Sequence, residues 1–217
     1  MLDSKTLTDM KKAFPFVRDL RNSEGLLRSS ARLHQFDAGT VIMDENQNCS
    51  GVIFVLSGVI RILKLSEEGK EITLYRISRG ETCVLTVACL LGTGDVPFPV
   101  SAHAEQDATV VLIPVETFRR LFFESQSVQK FIFSSMSAKF YSVLGLLESI
   151  TFKRTSDRLK DLLISKTAGG TYPLYATHES IAADLGTARE VVSRLLKDME
   201  SKGIVSLSRG KILLLKP

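Results

Sequence analysis

The sequence predicts an α+β protein with an N-terminal antiparallel, jelly-roll-like β-roll, one long helix, and a small C-terminal unit of helices closed by a β-hairpin. Three observations support this class. Residues 33–113 hold short apolar runs broken by glycines, residues 133–150 repeat apolar positions at steps of three and four, and residues 177–203 have the pattern of two helices around a glycine. We therefore expect three parts, at residues 1–125, 126–150 and 151–217.

The amino-acid composition limits the classes of protein to which this chain can belong. The chain has 217 residues, of which 44% are apolar and 24% charged, as in globular proteins. No apolar run reaches the roughly 18 residues of a membrane-spanning helix. The first sixteen residues are mixed and charged and lack the apolar segment of a signal peptide. We expect a cytoplasmic protein with no membrane partner.

The β-roll is predicted from segments with strand character. They read HQFDAGTVIM, SGVIFVLSGVIRILKLS, KEITLYRIS and ATVVLIP. Their corners are marked by Gly39, Gly58, Gly69 and Gly80, and SEEGKE at 66–71 signals a hairpin. Strands at this spacing, with almost no helical periodicity among them, are typical of a small antiparallel barrel or roll of about 80 residues.

The long helix carries an apolar seam that suits a helix pair. The seam consists of Phe133, Met136, Phe140, Val143, Leu147 and Ile150. This is an a/d heptad pattern, and no proline occurs from 115 to 172. A parallel two-fold helix pair, and hence a homodimer, is the preferred interpretation. The alternative is a helix packed on its own barrel. Phe131, Ile132 and Leu144 lie off the seam, so the helix can serve both surfaces.

The last third of the chain differs in charge and pattern. Residues 151–217 hold 12 Lys/Arg against 7 Asp/Glu, whereas residues 1–150 hold 16 against 17. An amphipathic helix over 151–168 ends at a Gly-Gly pair and is followed by a short extended stretch. The basic excess is therefore confined to the part that is predicted to be helical, as expected where that part alone meets a polyanion.

Two further helices and a hairpin complete this unit. Thr177 is expected to cap a helix with Glu179 in its first turn, and Gly186 to end it. A second helix is expected to start at Thr187 and run to Gly203, followed by a hairpin that turns at 208–211. Helix, glycine turn, helix and hairpin together predict a winged helix-turn-helix.

The second of these helices has one polar side. It consists of Arg189, Glu190, Ser193, Arg194 and Lys197. One interpretation is a solvated face, in which Thr187 and Glu190 form a capping box and Glu190 pairs with Arg194. The other is a helix that reads DNA, because this is the element that enters the major groove. The two roles of Glu190 can coexist.

The chemistry of these side chains favours DNA. Arginine bonds guanine O6 and N7 bidentately, glutamate accepts from cytosine N4, and serine contacts a base or a phosphate. Thr187 lies at the start of the same helix. Arg209 and Lys211 at the hairpin tip are expected to contact phosphates without reading sequence. We therefore expect double-stranded DNA as a partner.

The chain resembles the Crp/Fnr family of bacterial transcription regulators over essentially its whole length. The matching motifs are FVLSGVIRI at 54–62, RGE at 79–81 and RExxSR at 189–194. The resemblance implies a dimeric DNA-binding regulator that is not an enzyme and has RNA polymerase as a further partner. Family members with Arg-Glu-xxx-Arg read TGTGA-type half-sites, and those with Glu-xx-Ser-Arg read TTGA-type ones. This sequence has both patterns, which implies a palindrome with a TGA core.

The resemblance also implies a candidate effector pocket in the β-roll. It consists of Gly80, Glu81, Thr82, Cys83 and Ser101. In cyclic-nucleotide binders of the family a Gly-Glu pair holds ribose and phosphate, and an Arg-Ser neutralises the phosphate. Here Val100 stands at the arginine position before Ser101, and burying an unpaired phosphate costs several kcal/mol. We expect no binding of cyclic AMP unless Arg76 or Arg79 substitutes, and the effector and cofactor remain unknown.

Cys83 and Cys89 in the same segment have two interpretations. They can sense redox state, a metal or haem, or they can be small buried hydrophobes. Three cysteines exclude a four-cysteine cluster within one chain, and we expect no metal site. G-x-S-x-G, P-loop and H-E-x-x-H motifs are absent from the sequence, so we expect no enzyme. The alternative to a DNA-binding regulator is a ligand-binding or redox-sensing module whose winged helix contacts protein.

Overall fold

The computed structural model describes residues 1–20, 22–45, 47–66, 70–91, 99–152 and 154–216, without the side chains of residues 149–152. The expected corner at Gly69 and the side chain of Ile150 therefore lie outside the described part. The chain divides into two compact units. The first consists of Met1–Leu63 with Tyr75–Ser142, and the second of Lys64–Leu74 with Val143–Pro217.

Three short helices precede the roll. They are α1 (Ser4–Ala13), a 3-10 helix (Pro15–Asp19) and α2 (Glu24–Ser30). Asp3 caps α1 by accepting a 2.7 Å hydrogen bond from the Thr6 amide. The ring of Phe14, at the end of α1, meets Phe54 edge to face with centroids 5.2 Å apart. The N-terminal segment thus closes one end of the roll's apolar core.

The predicted antiparallel roll is confirmed. Its strands are β1 (Arg32–Phe36), β2 (Val41–Met43), β3 (Gly51–Ser57), β4 (Ile60–Leu65), β5 (Glu71–Ile77), β6 (Ser101–Ala104) and β7 (Ala108–Pro114). They form one sheet in the order β1-β7-β3 and another in the order β2-β6-β4-β5. The corner between β3 and β4 requires glycine, because Gly58 has φ +81° and an added Cβ would lie 2.1 Å from the Asp107 carbonyl oxygen.

Three helices follow the strands or interrupt them. They are α3 (Val84–Leu91), α4 (Val115–Glu124) and the 27-residue α5 (Gln126–Phe152). The start of α5 belongs to the first unit. Ile132 is buried in its core, and the Phe131 ring packs 4.9 Å from that of Phe16. Of the off-seam residues, Phe131 and Ile132 therefore pack against the core of the first unit, whereas Leu144 is 42% exposed.

The second unit has the predicted winged helix-turn-helix elements. They are α6 (Thr155–Lys166), β8 (Leu174–Tyr175), α7 (His178–Leu185), α8 (Arg189–Ser201), β9 (Val205–Ser208) and β10 (Lys211–Leu214), with sheet order β8-β10-β9. Thr177 caps α7 by accepting from the Ser180 amide at 3.0 Å, as predicted. Buried Arg158 donates to the Leu185 carbonyl oxygen at 2.5 Å and so holds α6 against the end of α7. Among the described residues, no helix is long and apolar enough to cross a membrane.

Candidate nucleic-acid interface and sensor cavity

The outer face of α8 brings the predicted polar residues together. One surface concavity is lined by Arg189, Glu190, Ser193, Arg194 and Lys197. The face exists because α8 is amphipathic: Val192, Leu196 and Met199 on its other side are buried in the core of the second unit. Four charged groups and one hydroxyl thus share a single solvent-facing surface.

Helix α8 does not start at Thr187, the position predicted from the sequence. The helix begins at Arg189 after Ala188, which makes no side-chain capping bond. Thr187 instead closes the preceding helix, because its amide donates to the Ala182 carbonyl oxygen at 3.0 Å while Gly186, with φ 61°, takes the left-handed position. This is a Schellman ending of α7. The predicted capping box of Thr187 and Glu190 is therefore wrong.

The predicted ion pair between Glu190 and Arg194 is also absent from the described structure. Exposed i, i+4 pairs contribute only about 0.3–0.5 kcal/mol, so solvation of both groups competes with the pair. Within the described part of the chain, Arg189, Glu190 and Arg194 have no hydrogen-bond or ion-pair partner. All three are exposed, so they can meet an external ligand without first breaking an internal bond.

The tip of the wing, which is the hairpin of β9 and β10, carries two more cationic side chains. Arg209 is exposed in the two-residue turn between β9 and β10, where Ser208 pairs with Lys211. The ammonium of Lys211 lies 6.0 Å from the centre of the Tyr175 ring. The predicted hairpin at 208–211 is confirmed, and its tip presents positive charge.

A cavity of about 160 Å³ lies inside the roll. Its walls are the inner faces of β1, β2, β3, β6 and β7 together with the start of α3. Polar groups come from His34, Ser50, Thr86 and Cys83, and no Asp, Glu, Lys or Arg occurs among its described lining residues. The cavity therefore suits a small neutral molecule better than an anion.

Of the five residues in the candidate effector pocket, Cys83 alone is among those that line this cavity. Thr82 is buried and donates to the Ile53 carbonyl oxygen at 2.6 Å. Ser101 is buried, and its hydroxyl has no partner in the described structure. The Gly80 amide donates to the Val55 carbonyl oxygen at 3.0 Å, and neither Gly80 nor Glu81 is among the described residues that line the cavity.

Glu81 is engaged by the long helix. Its carboxylate accepts from the Lys139 ammonium at 2.6 Å and from the Ser78 amide at 2.8 Å. The same ammonium donates to the Arg76 carbonyl oxygen at 2.8 Å and lies 5.6 Å from the centre of the Tyr75 ring. Sequence patterning missed Lys139, because a lysine between two apolar seam positions normally faces solvent.

Arg76 and Arg79 could in principle replace the phosphate-binding arginine that is missing at Val100, but both have other partners. Arg76 binds Glu105 through two hydrogen bonds of 2.5 and 2.8 Å. Arg79 donates to the Leu56 carbonyl oxygen. Val100 itself is buried. A cyclic phosphate would therefore meet one guanidinium whose charge is already balanced by Glu105 and another that is already held by a backbone carbonyl oxygen.

Burial disfavours the thiolate form of all three cysteines. Burial raises the pKa of Cys49 to about 11, and burial likewise raises the pKa of Cys83 and of Cys89. All three are free thiols. A thiol is reactive only as its thiolate, so the raised pKa values disfavour oxidation of these side chains near neutral pH. Among the described residues, no group of three His, Cys, Asp or Glu is arranged to hold a metal ion.

The predicted seam on α5 is largely exposed. Phe133, Phe140 and Leu147, which recur every seven residues, are 60%, 63% and 60% exposed. Val143 is half-buried, and Met136 packs partly against the core of the first unit. Three large apolar side chains along one line of a helix form the kind of surface that a partner helix covers.

Comparison with known families and structures agrees with this geometry. The model of the cyclic nucleotide-binding domain matches residues 33–125, and the model of the Crp-like helix-turn-helix domain matches residues 154–217. A solved transcriptional regulator of the Crp/Fnr family from Eubacterium rectale is 34% identical with a TM-score of 0.84, and the match covers 94% of this chain and 95% of that one. The chain belongs to the Crp/Fnr family. The resemblance inferred from the sequence motifs is thereby confirmed.

Other relatives are also regulators of this kind. The chain is 24% identical to a global nitrogen regulator of Nostoc sp. over 190 residues, which is 84% of each protein. It is 24% identical to an anaerobic regulatory protein of Bacillus subtilis over 213 residues, which is 93% of this chain and 88% of that one. Crp/Fnr proteins are transcription regulators and not enzymes, so the chain is a transcription regulator with a helix-turn-helix DNA-binding domain.

Proposed function

We propose that this Crp/Fnr protein binds, as a homodimer, a palindromic operator with TGA-containing half-sites. The observation that carries the proposal is the exposed face of α8, where Arg189, Glu190 and Arg194 have no partner within the described chain. The G·C pair of a TGA core offers guanine O6 and N7 to an arginine and cytosine N4 to Glu190. Arg209 and Lys211 add phosphate contacts at the wing, and Thr187 lies at the DNA-facing end of α8.

The homodimer is proposed to form through α5. Its seam leaves Phe133, Phe140 and Leu147 exposed along one face, and burying them against a second copy relates the two recognition helices by a two-fold axis. Half-sites would then lie about one helical turn apart. The limits of the three parts, at residues 1–125, 126–150 and 151–217, follow from this division of roles.

A binding assay at two salt concentrations tests the proposal. Fluorescence anisotropy is measured with a palindromic TGA duplex and with a duplex of the same composition in scrambled order. We expect tighter binding of the palindrome and a steep loss of affinity for both as salt rises, because phosphate contacts release counterions. Equal affinity for both duplexes would refute sequence-specific recognition. If neither duplex bound, the alternative role in protein contact would replace it.

Control through the β-roll is the second part of the proposal. Lys139 joins α5 to Glu81 and to the edge of the roll, so a change in the roll has a direct route to the dimer helix. The raised thiol pKa values favour a bound effector over cysteine oxidation. The cavity near Cys83 favours a small neutral effector, and we propose that cyclic AMP is not one. RNA polymerase is the proposed further partner, in the cytoplasm.

A further inference from the structure

A histidine outside the predicted DNA-contacting set touches the recognition helix. His178, the first residue of α7, has its Nδ1 atom 2.8 Å from the hydroxyl of Ser193 on α8. The two residues are fifteen positions apart and both half-buried. Ser193 lines the concavity with the arginines, whereas His178 is not among its lining residues. The histidine thus contacts the hydroxyl without itself lining the concavity.

The Ser193 hydroxyl departs from what helical serines do elsewhere in this chain. Ser135 and Ser142 on α5 donate to the carbonyl oxygen four residues earlier, at 2.9 and 3.0 Å. Ser193 makes no such bond in the described structure, and His178 is its partner instead. In the ring tautomer that carries its proton on Nε2, the hydroxyl proton has the Nδ1 lone pair as its acceptor. This arrangement leaves the oxygen lone pairs directed away from the histidine.

We propose that His178 is a positioning residue for base recognition, which fixes the Ser193 hydroxyl as a hydrogen-bond acceptor toward the operator. An oxygen held in this state accepts from adenine N6 or cytosine N4, the donors of the major groove. Without the histidine, the hydroxyl rotates and offers its proton as readily as its lone pairs. Discrimination at the base pair it faces is then lost. The inference rests on the proposed function, because it assumes that α8 reads DNA.

Substitutions at both ends of the bond test the inference. The set is His178→Leu, His178→Asn, Ser193→Ala and the double variant His178→Leu/Ser193→Ala. Asparagine is the matched control, since its side-chain oxygen can accept from Ser193 near the place of Nδ1. Each full-length protein is measured by anisotropy against the operator, single-base variants of one half-site, and a scrambled duplex. Melting temperatures confirm that each variant is folded.

His178→Leu and Ser193→Ala are expected to lose discrimination at the same base pair by about three- to tenfold, the net value of one neutral hydrogen bond. Affinity for scrambled DNA should remain within about twofold, and the double variant should be no worse than either single one. His178→Asn should retain most of the discrimination. Equal losses on every duplex would make His178 a phosphate contact and overturn the inference, as would additive losses in the double variant.

Two further outcomes separate this inference from the proposed function. If wild-type protein reads the operator but His178→Leu leaves every base preference unchanged, only the role of His178 fails. If wild-type protein shows no base preference, both fail together. An independent readout is the 15N chemical shift of His178 in the free protein. A neutral ring that carries its proton on Nδ1 would overturn the assignment of Ser193 as the donor.

Discussion

Placing a charge in the exposed seam of α5 should separate the dimer. The change is Phe140→Glu, at a side chain that is 63% exposed in the single chain and does not belong to its core. Full burial of a phenylalanine stabilises by about 1.5–3 kcal/mol, so the exposed part contributes about 1–2 kcal/mol in each of two copies. Two facing glutamates add about 3 kcal/mol of repulsion at an effective dielectric constant of about 20.

The sum is about 5–7 kcal/mol, which raises the dimer dissociation constant by about four to five orders of magnitude. Sedimentation velocity over roughly a thousandfold concentration range then distinguishes a dimeric wild-type protein from a monomeric variant. Ala138→Glu is the matched control, because it adds the same charge at an exposed position of the same helix, away from the seam. Equal association of Phe140→Glu and wild-type protein would refute the assignment of this face to the dimer.

Four other outcomes are expected. Arg189→Ala and Arg194→Ala should each lose about 1–3 kcal/mol on the operator and relax specificity at one base pair, and equal losses on scrambled DNA would show phosphate contacts instead. Arg209→Ala should weaken both duplexes alike and reduce the salt slope by about one. Millimolar cyclic AMP should leave the melting temperature unchanged, whereas a ligand at 100 times its Kd stabilises by about 2.7 kcal/mol; an upward shift would contradict the argument from Val100. Because burial raises the pKa of Cys49 from 9.0 to about 11, its thiolate fraction at pH 8 falls about 100-fold. The thiolate of a thiol with a higher pKa is more nucleophilic, which recovers about tenfold of this loss. A disulfide reagent should therefore react with Cys49 about tenfold more slowly in the folded protein than in the unfolded protein. Equal rates in the two states would restore the redox interpretation.

Local pattern was sufficient for much of the fold. The strands of the roll and the helices of the second unit have their own periodicity and turn residues, so they could be predicted without knowledge of their neighbours. By contrast, α3 is apolar on nearly every side and has no helical stripe. Strand β6 has four small or polar residues and depends on pairing with β4, whose Ile62 lies opposite Ala102. Only tertiary contacts define these elements.

The candidate site shows the same limit at single residues. The residues of the polar face of α8 could be predicted from their spacing in the sequence. The cap at Thr187 could not, because the turn at Gly186 directs the Thr187 amide to a carbonyl oxygen of the preceding helix. Lys139 and His178 could not be predicted, since their partners lie 58 and 15 residues away. Sequence spacing shows which side chains share a helix face, but not which residues from distant parts of the chain form hydrogen bonds with them.

Lys139 fixes the rotation of α5 about its own axis relative to the edge of the roll that it contacts. One ammonium meets a carboxylate, a backbone carbonyl oxygen and an aromatic face, so turning α5 about its axis by one residue, about 100°, removes all three contacts at once. A single side chain therefore fastens this part of α5 to a carboxylate, a backbone carbonyl oxygen and an aromatic ring, and its removal would free the helix from all three together.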